Sequence, residues 1–113
     1  MTDPYLDKLV RLLQRYEPDQ IILFGSRARG EAEMDSDYDL IVVTQSDQLP
    51  ASQQEQESAY LEVARLIRDI RKEVPVDLIV HTRPMHARFI EMDSLFAREV
   101  LQKGVVLYES HHA

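Results

Sequence analysis

The chain of 113 residues contains no cysteine, and this absence excludes two ways of stabilising a fold. Without thiols it can form neither disulfide bonds nor thiolate zinc sites. The sequence also lacks a long apolar run, so we expect neither a signal peptide nor a membrane-spanning helix, and we expect a cytoplasmic protein. Hydrophobic residues still make up 44% of the chain, which indicates a soluble globular fold.

Basic residues are scarce as well. The chain has 13 Lys and Arg against 20 Asp and Glu, which gives a net charge of -7. Proteins that bind nucleic acid usually present a basic face, so this balance argues against a polymeric nucleic-acid substrate. The length allows one domain, which we expect to span residues 1–109, followed by a loose tail at 110–113.

Apolar periodicity predicts alternating helices and strands along the chain. Asp3 and Pro4 resemble an N-cap and a first helical residue, and Ser94 resembles the cap of a last helix that ends at Gly104. A long helix is expected from about Gln53 to Glu73, stopped by Pro75. Buried strands are expected at 21–24, at about 37–44 and at 76–81, with a closing extended segment at 105–108.

A glycine and a serine follow the first apolar strand and predict a phosphate-binding turn. Gly25 permits a sharp turn, and Ser26 is the expected N-cap of a short helix that reaches about Gly30. The unpaired amides of such a helix start attract phosphate. The guanidinium groups of Arg27 and Arg29 would neutralise a triphosphate further, although both arginines are equally compatible with a solvated surface.

Two carboxylates in the second strand predict a metal site beside this turn. Asp37 and Asp39 fall on one face because strand side chains alternate, and hard oxygen ligands suit Mg²⁺. Asp77, at the start of the third strand, would supply a third carboxylate if the two strands are neighbours. Three such acids match a two-metal arrangement with ions roughly 3.5–4 Å apart. The alternatives are a solvated strand end for the pair and a plain surface residue for Asp77.

Together these residues resemble a known family. The segment Gly25-Ser26-x-Ala28-x-Gly30, followed by Ser36-Asp37-x-Asp39-Leu40, is similar to the signature of the polymerase-beta-type nucleotidyltransferases. It resembles in particular the minimal nucleotidyltransferases (MNT) of prokaryotes, whose motif also places ten residues between the serine and the first aspartate. The resemblance implies an α/β nucleotidyltransferase fold with a small mixed β-sheet flanked by helices.

The resemblance also implies a reaction. Such a protein moves AMP from ATP to a tyrosine hydroxyl of a partner HEPN-domain ribonuclease toxin, with which it would form a hetero-oligomer, and acts as antitoxin by this protein AMPylation. Asp37 and Asp39 would hold two Mg²⁺ ions, and Asp77 would hold the catalytic ion and accept the proton of the acceptor. Gly25, Ser26 and the arginines would hold the triphosphate.

Two alternatives remain open for the acceptor. One is modification of a small molecule such as an aminoglycoside, which larger enzymes of the same fold perform. The other is a non-catalytic antitoxin that neutralises a toxin by binding. A domain without a second lobe leaves its site open, which suits a protein acceptor better than a small molecule.

Overall fold

The computed structural model describes residues 3–110, which form five α-helices, two 3₁₀ turns and one four-stranded sheet. The helices are α1 (Pro4–Gln14), α2 (Gly25–Ala28), α3 (Gln53–Ala64), α4 (Arg83–Glu91) and α5 (Leu95–Lys103). The strands are β1 (Gln20–Phe24), β2 (Tyr38–Val43), β3 (Val76–His81) and β4 (Val105–Glu109). Their order is β3-β2-β1-β4, with β2 and β3 parallel and the other neighbours antiparallel. The sheet is therefore mixed, as the resemblance implied.

The two central strands are buried on both faces, which explains their nearly continuous apolar sequence. One face packs against α1 and α3, where Leu9 and Ile67 are fully buried with Leu40 of β2. The other face packs against α4 and α5, where Ile41 lies in a second cluster with Val100. This division matters for the site, because odd-numbered residues of β2 point towards α4 and α5.

The helix ends follow the sequence closely. Asp3 caps α1 by accepting hydrogen bonds from the amides of Tyr5 and Leu6, and Ser94 caps α5 through the amide of Ala97. Both caps were predicted from sequence. Within residues 3–110 no helix is both long enough and apolar enough to cross a lipid bilayer.

The single long helix expected from about Gln53 to Glu73 is wrong. Regular α-helix ends at Ala64, and the chain continues as 3₁₀ turns at Arg65–Ile67 and Ile70–Lys72. Ile67 and Ile70 are 0% and 1% exposed, so this irregular segment still directs both isoleucines into the core.

The predicted C-terminal tail begins with an anchored residue. The amide of Ser110 donates to the carbonyl oxygen of Asp19 at 2.9 Å, and its hydroxyl lies 3.3 Å from Oδ1 of the same residue. The remaining tail, 111–113, lies outside the described residues. The domain boundary at 109 stays a prediction.

Candidate active site

Two of the predicted acids are paired directly across neighbouring strands. Asp39 of β2 is the register partner of Asp77 of β3 in the parallel pair. Paired residues of adjacent strands project from the same face of a sheet, so both carboxylates lie on the face that carries α4 and α5. Asp37 immediately precedes β2 and is exposed, as is Asp77. The predicted neighbourhood of the two acidic strands is thus confirmed.

The pKa of the Asp39 carboxyl depends on its burial and on the other two acids. Partial burial is the largest cause that raises the pKa of the Asp39 carboxyl, and the charges of Asp77 and Asp37 raise it further. The charges of Arg29 and Arg27 act in the opposite direction. Negative charge therefore accumulates at this edge of the sheet, and an added cation would stabilise it.

Gly25 lies against one of these carboxylates. Phe24, the last residue of β1, is the register partner of Asp39, so the turn that follows passes directly over the acid. Gly25 has a φ of +75°, and a Cβ at this position would collide with Oδ2 of Asp39. Only glycine satisfies both the backbone angle and the close approach.

The predicted position of Ser26 as N-cap is wrong. Helix α2 begins at Gly25, with Phe24 as an N-cap that makes no side-chain hydrogen bond, and it ends at Ala28 rather than near Gly30. The positive φ of Gly25 makes the turn by itself, and a second positive φ at Gly30 marks the exit. Ser26 still lies in the first helical turn, whose amides have no partner within the helix. Phosphate binding by Gly25 and Ser26 stays a prediction.

Arg29 lies beside the acids and is tied to α5. Its Nη1 donates to Oε1 of Glu99 at 2.7 Å, and its Nε donates to Oε2 of Glu31 at 3.1 Å. Sequence reasoning missed Glu99, because this contact joins residues 70 positions apart and no local pattern specifies it. The predicted role of Arg29 at a triphosphate stays a prediction.

Arg27 points to a different set of partners. Its Nε and Nη2 both donate to the carbonyl oxygen of Ser36, at 3.2 and 2.8 Å, and its guanidinium lies 3.9 Å from the ring centroid of Tyr38. Arg27 thus contacts the segment that leads into Asp37. Its predicted contact with a triphosphate stays a prediction.

The acids suit a hard divalent cation in their chemistry. Carboxylate oxygens are the ligands that Mg²⁺ takes from proteins, and it completes its shell with water and substrate phosphate. Within residues 3–110 no three acidic or imidazole side chains are close enough to enclose an ion by themselves. The donor type and the mutual repulsion of the acids fit the ion, and the remaining ligands would come from water and phosphate.

Comparisons with known proteins agree with this geometry. The family model described as "Polymerase beta, Nucleotidyltransferase" matches residues 7–113. No curated protein matches the chain.

Several solved structures share the fold. A crystal structure of a toxin–antitoxin with AMP-PNP is 22% identical over 92% of this chain and 73% of that one, with a TM-score of 0.57. A mutant of the toxin–antitoxin MntA-HpeT is 21% identical over 97% and 75%, with a TM-score of 0.56. A putative nucleotidyltransferase from Sulfolobus solfataricus is 20% identical over 96% and 90%, with a TM-score of 0.53. At these identities the likeness shows the fold.

Proposed function

Since the chain belongs to the polymerase-beta nucleotidyltransferase family, we propose that it transfers AMP from ATP to a hydroxyl group of a partner toxin and so acts as an antitoxin. The observation that carries the proposal is the register pair Asp39–Asp77 beside the turn at Gly25. This arrangement supports the proposal because it brings two carboxylates next to the turn at which we propose that the triphosphate binds.

The reaction is a displacement at phosphorus. The oxygen of the acceptor hydroxyl forms a bond to the α-phosphorus of ATP, the bond from that phosphorus to the bridging oxygen breaks, and pyrophosphate leaves. Asp77 is exposed near the start of β3, and we assign its carboxylate as the acceptor of the hydroxyl proton. Catalysis in this scheme depends on positioning and on charge neutralisation rather than on a covalent intermediate.

The three acids would hold Mg²⁺. Asp39 follows Asp37 by two residues and is the register partner of Asp77 on the neighbouring strand. It would therefore be a ligand that the metal ions share. When bound, divalent ions supply positive charge to the phosphate oxygens and to the attacking oxygen. The raised pKa of Asp39 supports this assignment, because partial burial and then the charges of Asp77 and Asp37 disfavour its carboxylate, and a bound cation would offset both.

The triphosphate would lie along the start of α2. The first-turn amides after Gly25 are suitable donors to phosphate oxygens. The guanidinium of Arg29 is near enough to Asp39 to lower the pKa of its carboxyl, so it would also be near a phosphate bound there. The toxin–antitoxin neighbour with AMP-PNP supports an adenine nucleotide as the donor.

The acceptor we propose is a tyrosine hydroxyl of a HEPN-domain ribonuclease toxin. The toxin–antitoxin neighbours support a toxin as partner, and the resemblance to the MNT family supports the HEPN type and the tyrosine. The exposure of Asp37 and Asp77 supports a large acceptor, because a protein loop can reach an open sheet edge without enclosure by a second lobe.

The experiment combines the purified chain, ATP and Mg²⁺ with the protein encoded by the adjacent reading frame, and intact-mass spectrometry measures the product. We expect the partner to gain the mass of AMP. Asp77→Asn should slow this gain by about 10²-fold or more, since it removes both a ligand and the base. Asp35→Asn is the matched control, because Asp35 is an exposed acid of the preceding loop outside the motif.

Four outcomes would contradict the proposal. An unmodified partner would do so, and so would equal modification by wild type and Asp77→Asn. Pyrophosphate release with an aminoglycoside in the absence of partner would favour the small-molecule reaction instead. Toxin inhibition that survives loss of both Asp37 and Asp39 would favour neutralisation by binding.

A further inference from the structure

The carbonyl oxygen of Ser36 accepts two hydrogen bonds from one arginine. Two nitrogens of Arg27 donate to it, and Nη2 of the same arginine also lies 3.4 and 3.3 Å from the carbonyl oxygens of Glu33 and Met34. One guanidinium therefore donates hydrogen bonds to three backbone carbonyls of a single loop. The peptide unit held most firmly is the one that joins Ser36 to Asp37.

The same guanidinium is fixed from its other side. It lies over the ring of Tyr38, whose side chain is 3% exposed, and Nη1 lies 3.7 Å from Oδ2 of Asp3. The hydroxyl of Tyr38 donates to the carboxylate of Asp3, at 2.9 and 2.8 Å from its two oxygens. Since Asp3 also caps α1, the guanidinium is anchored to a helix end as well as to the strand.

We infer that Arg27 is a positioning residue. It binds the loop of residues 33–36 to Asp3 at the start of α1 and to Tyr38 of β2, and it thereby holds Asp37 beside Asp39. The consequence for catalysis rests on the proposed function, because it concerns a predicted metal ligand. The placement of the loop itself does not rest on it.

The contacts of the two arginines distinguish their roles. Arg29 is paired only with side-chain carboxylates in the contacts described above, and such partners can be exchanged for phosphate oxygens. If Arg27 bound a phosphate instead, it would lose its hydrogen bonds to three backbone carbonyls and its cation–π contact with Tyr38. Both the cation–π contact and the charge-assisted hydrogen bonds would have to be replaced, so this exchange is costly.

Lysine would be a poor substitute at position 27. A lysine keeps the positive charge, but it lacks the planar fork that reaches the Ser36 carbonyl from two nitrogens while the flat group covers Tyr38. A phosphate-neutralising residue tolerates this exchange better than a loop clamp does. Charge-conserving variants of Arg27 and Arg29 therefore separate the two roles.

The experiment compares Arg27→Lys with Arg29→Lys in the full chain without nucleotide. Hydrogen–deuterium exchange should accelerate about tenfold at the amides of 36–38 in Arg27→Lys, whereas Arg29→Lys should leave these amides unchanged. The amide of Tyr38, which donates to the carbonyl oxygen of Pro75 at 3.0 Å, is the most direct probe. Mn²⁺ binding, measured by electron paramagnetic resonance, should weaken about tenfold in Arg27→Lys, as loss of an outer-shell partner does.

Steady-state kinetics should distinguish the two arginines. Arg27→Lys should raise the Mn²⁺ concentration for half-maximal rate and leave the KM for ATP within about twofold, whereas Arg29→Lys should raise that KM. Asp3→Asn is a milder second variant, since asparagine retains the cap of α1 but removes the charge that faces Arg27. We expect it to accelerate exchange at the same amides to a smaller extent.

Unchanged exchange at 36–38 in both Arg27→Lys and Asp3→Asn would overturn the inference. An increase in the KM for ATP with unchanged Mn²⁺ binding in Arg27→Lys would also overturn it and would assign Arg27 to the triphosphate. Faster exchange and weaker Mn²⁺ binding in a chain that transfers no AMP would support the inference and contradict the proposed function.

Discussion

At the residue scale, Asp39 combines a structural cost with its proposed role. Its carboxyl is partly buried and faces two other acids, and burial first and then these charges raise its pKa, against the opposite effect of Arg29 and Arg27. The net effect disfavours the charged form of Asp39 in the folded state. The cost is explained if the group is retained for binding a cation, since functional sites often reduce stability.

Asp39→Asn should therefore stabilise the protein at pH 7 while it abolishes transfer. Because the pKa of Asp39 is raised in the fold, the native state binds more protons than the unfolded chain between the ordinary and the raised pKa. The stability associated with this group is present at low pH and is lost as the pH rises through the folded pKa. The substituted amide carries no charge, so the melting temperature at pH 7 should rise by a few degrees.

Thermal unfolding followed by circular dichroism between pH 3 and pH 7 measures this difference. The gain should shrink as the pH falls and vanish where Asp39 is protonated. Asp35→Asn is the control for loss of one acidic charge, because that acid is exposed in the loop. A lower melting temperature for Asp39→Asn at pH 7 would show that the carboxylate is stabilising, contrary to our interpretation.

At the element scale, the turn from β1 into α2 joins the acids to the proposed phosphate site. Two glycines with the same φ of +75° mark the two ends of the short helix: Gly25 is its first residue, and Gly30 follows its last residue by two positions. Their surroundings differ: a Cβ at Gly25 would collide with Asp39, whereas none of the atoms around Gly30 lies within 4 Å of such a Cβ. The chain therefore offers a matched pair that separates backbone strain from steric contact.

Gly25→Ala and Gly30→Ala should both lower stability, by about 1 kcal/mol each from the positive φ. Only Gly25→Ala should also displace the carboxylate of Asp39, so transfer should fall by about 10²-fold or more in this variant and by less than about threefold in Gly30→Ala. Urea unfolding measures the first effect and the mass assay measures the second. Equal loss of transfer in both variants would show that the contact with Asp39 is unimportant.

At the scale of the whole molecule, the site and the larger core lie on opposite faces of the sheet. Ile67 is fully buried in the cluster with α1, whereas Asp39 and Asp77 project towards α4 and α5. Much of the stabilising apolar burial is thus remote from the chemistry. Stability and activity should respond separately to changes in that cluster.

Ile67→Ala should lower the free energy of unfolding by about 2–5 kcal/mol, because it leaves a cavity in a closed core. Well below its melting temperature, the folded variant should transfer AMP within about twofold of the wild-type rate. Leu61→Ala is the control, since Leu61 is 62% exposed and should lose less than about 0.5 kcal/mol. A large loss of rate in folded Ile67→Ala would mean that the core under α1 is coupled to the acids.

Much of this protein was determined by local sequence. Apolar runs specified the strands because buried strands leave few other choices, and Asp3, Ser94 and Gly104 marked helix ends because the orphaned groups there need such residues. The motif from Gly25 to Asp39 predicted the site residues within that segment and indicated the family. These signals act within a few positions along the chain, so one sequence was enough to detect them.

Tertiary structure alone decided what happens across the chain. The register of Asp39 with Asp77, the contact of Arg29 with Glu99 and the Arg27–Tyr38–Asp3 network each join distant segments. The change from α-helix to 3₁₀ turns after Ala64 was likewise not specified by the apolar pattern, which a continuous helix also satisfies. Such choices are made by packing and by the loss of water from shared interfaces, which no local pattern of residues encodes.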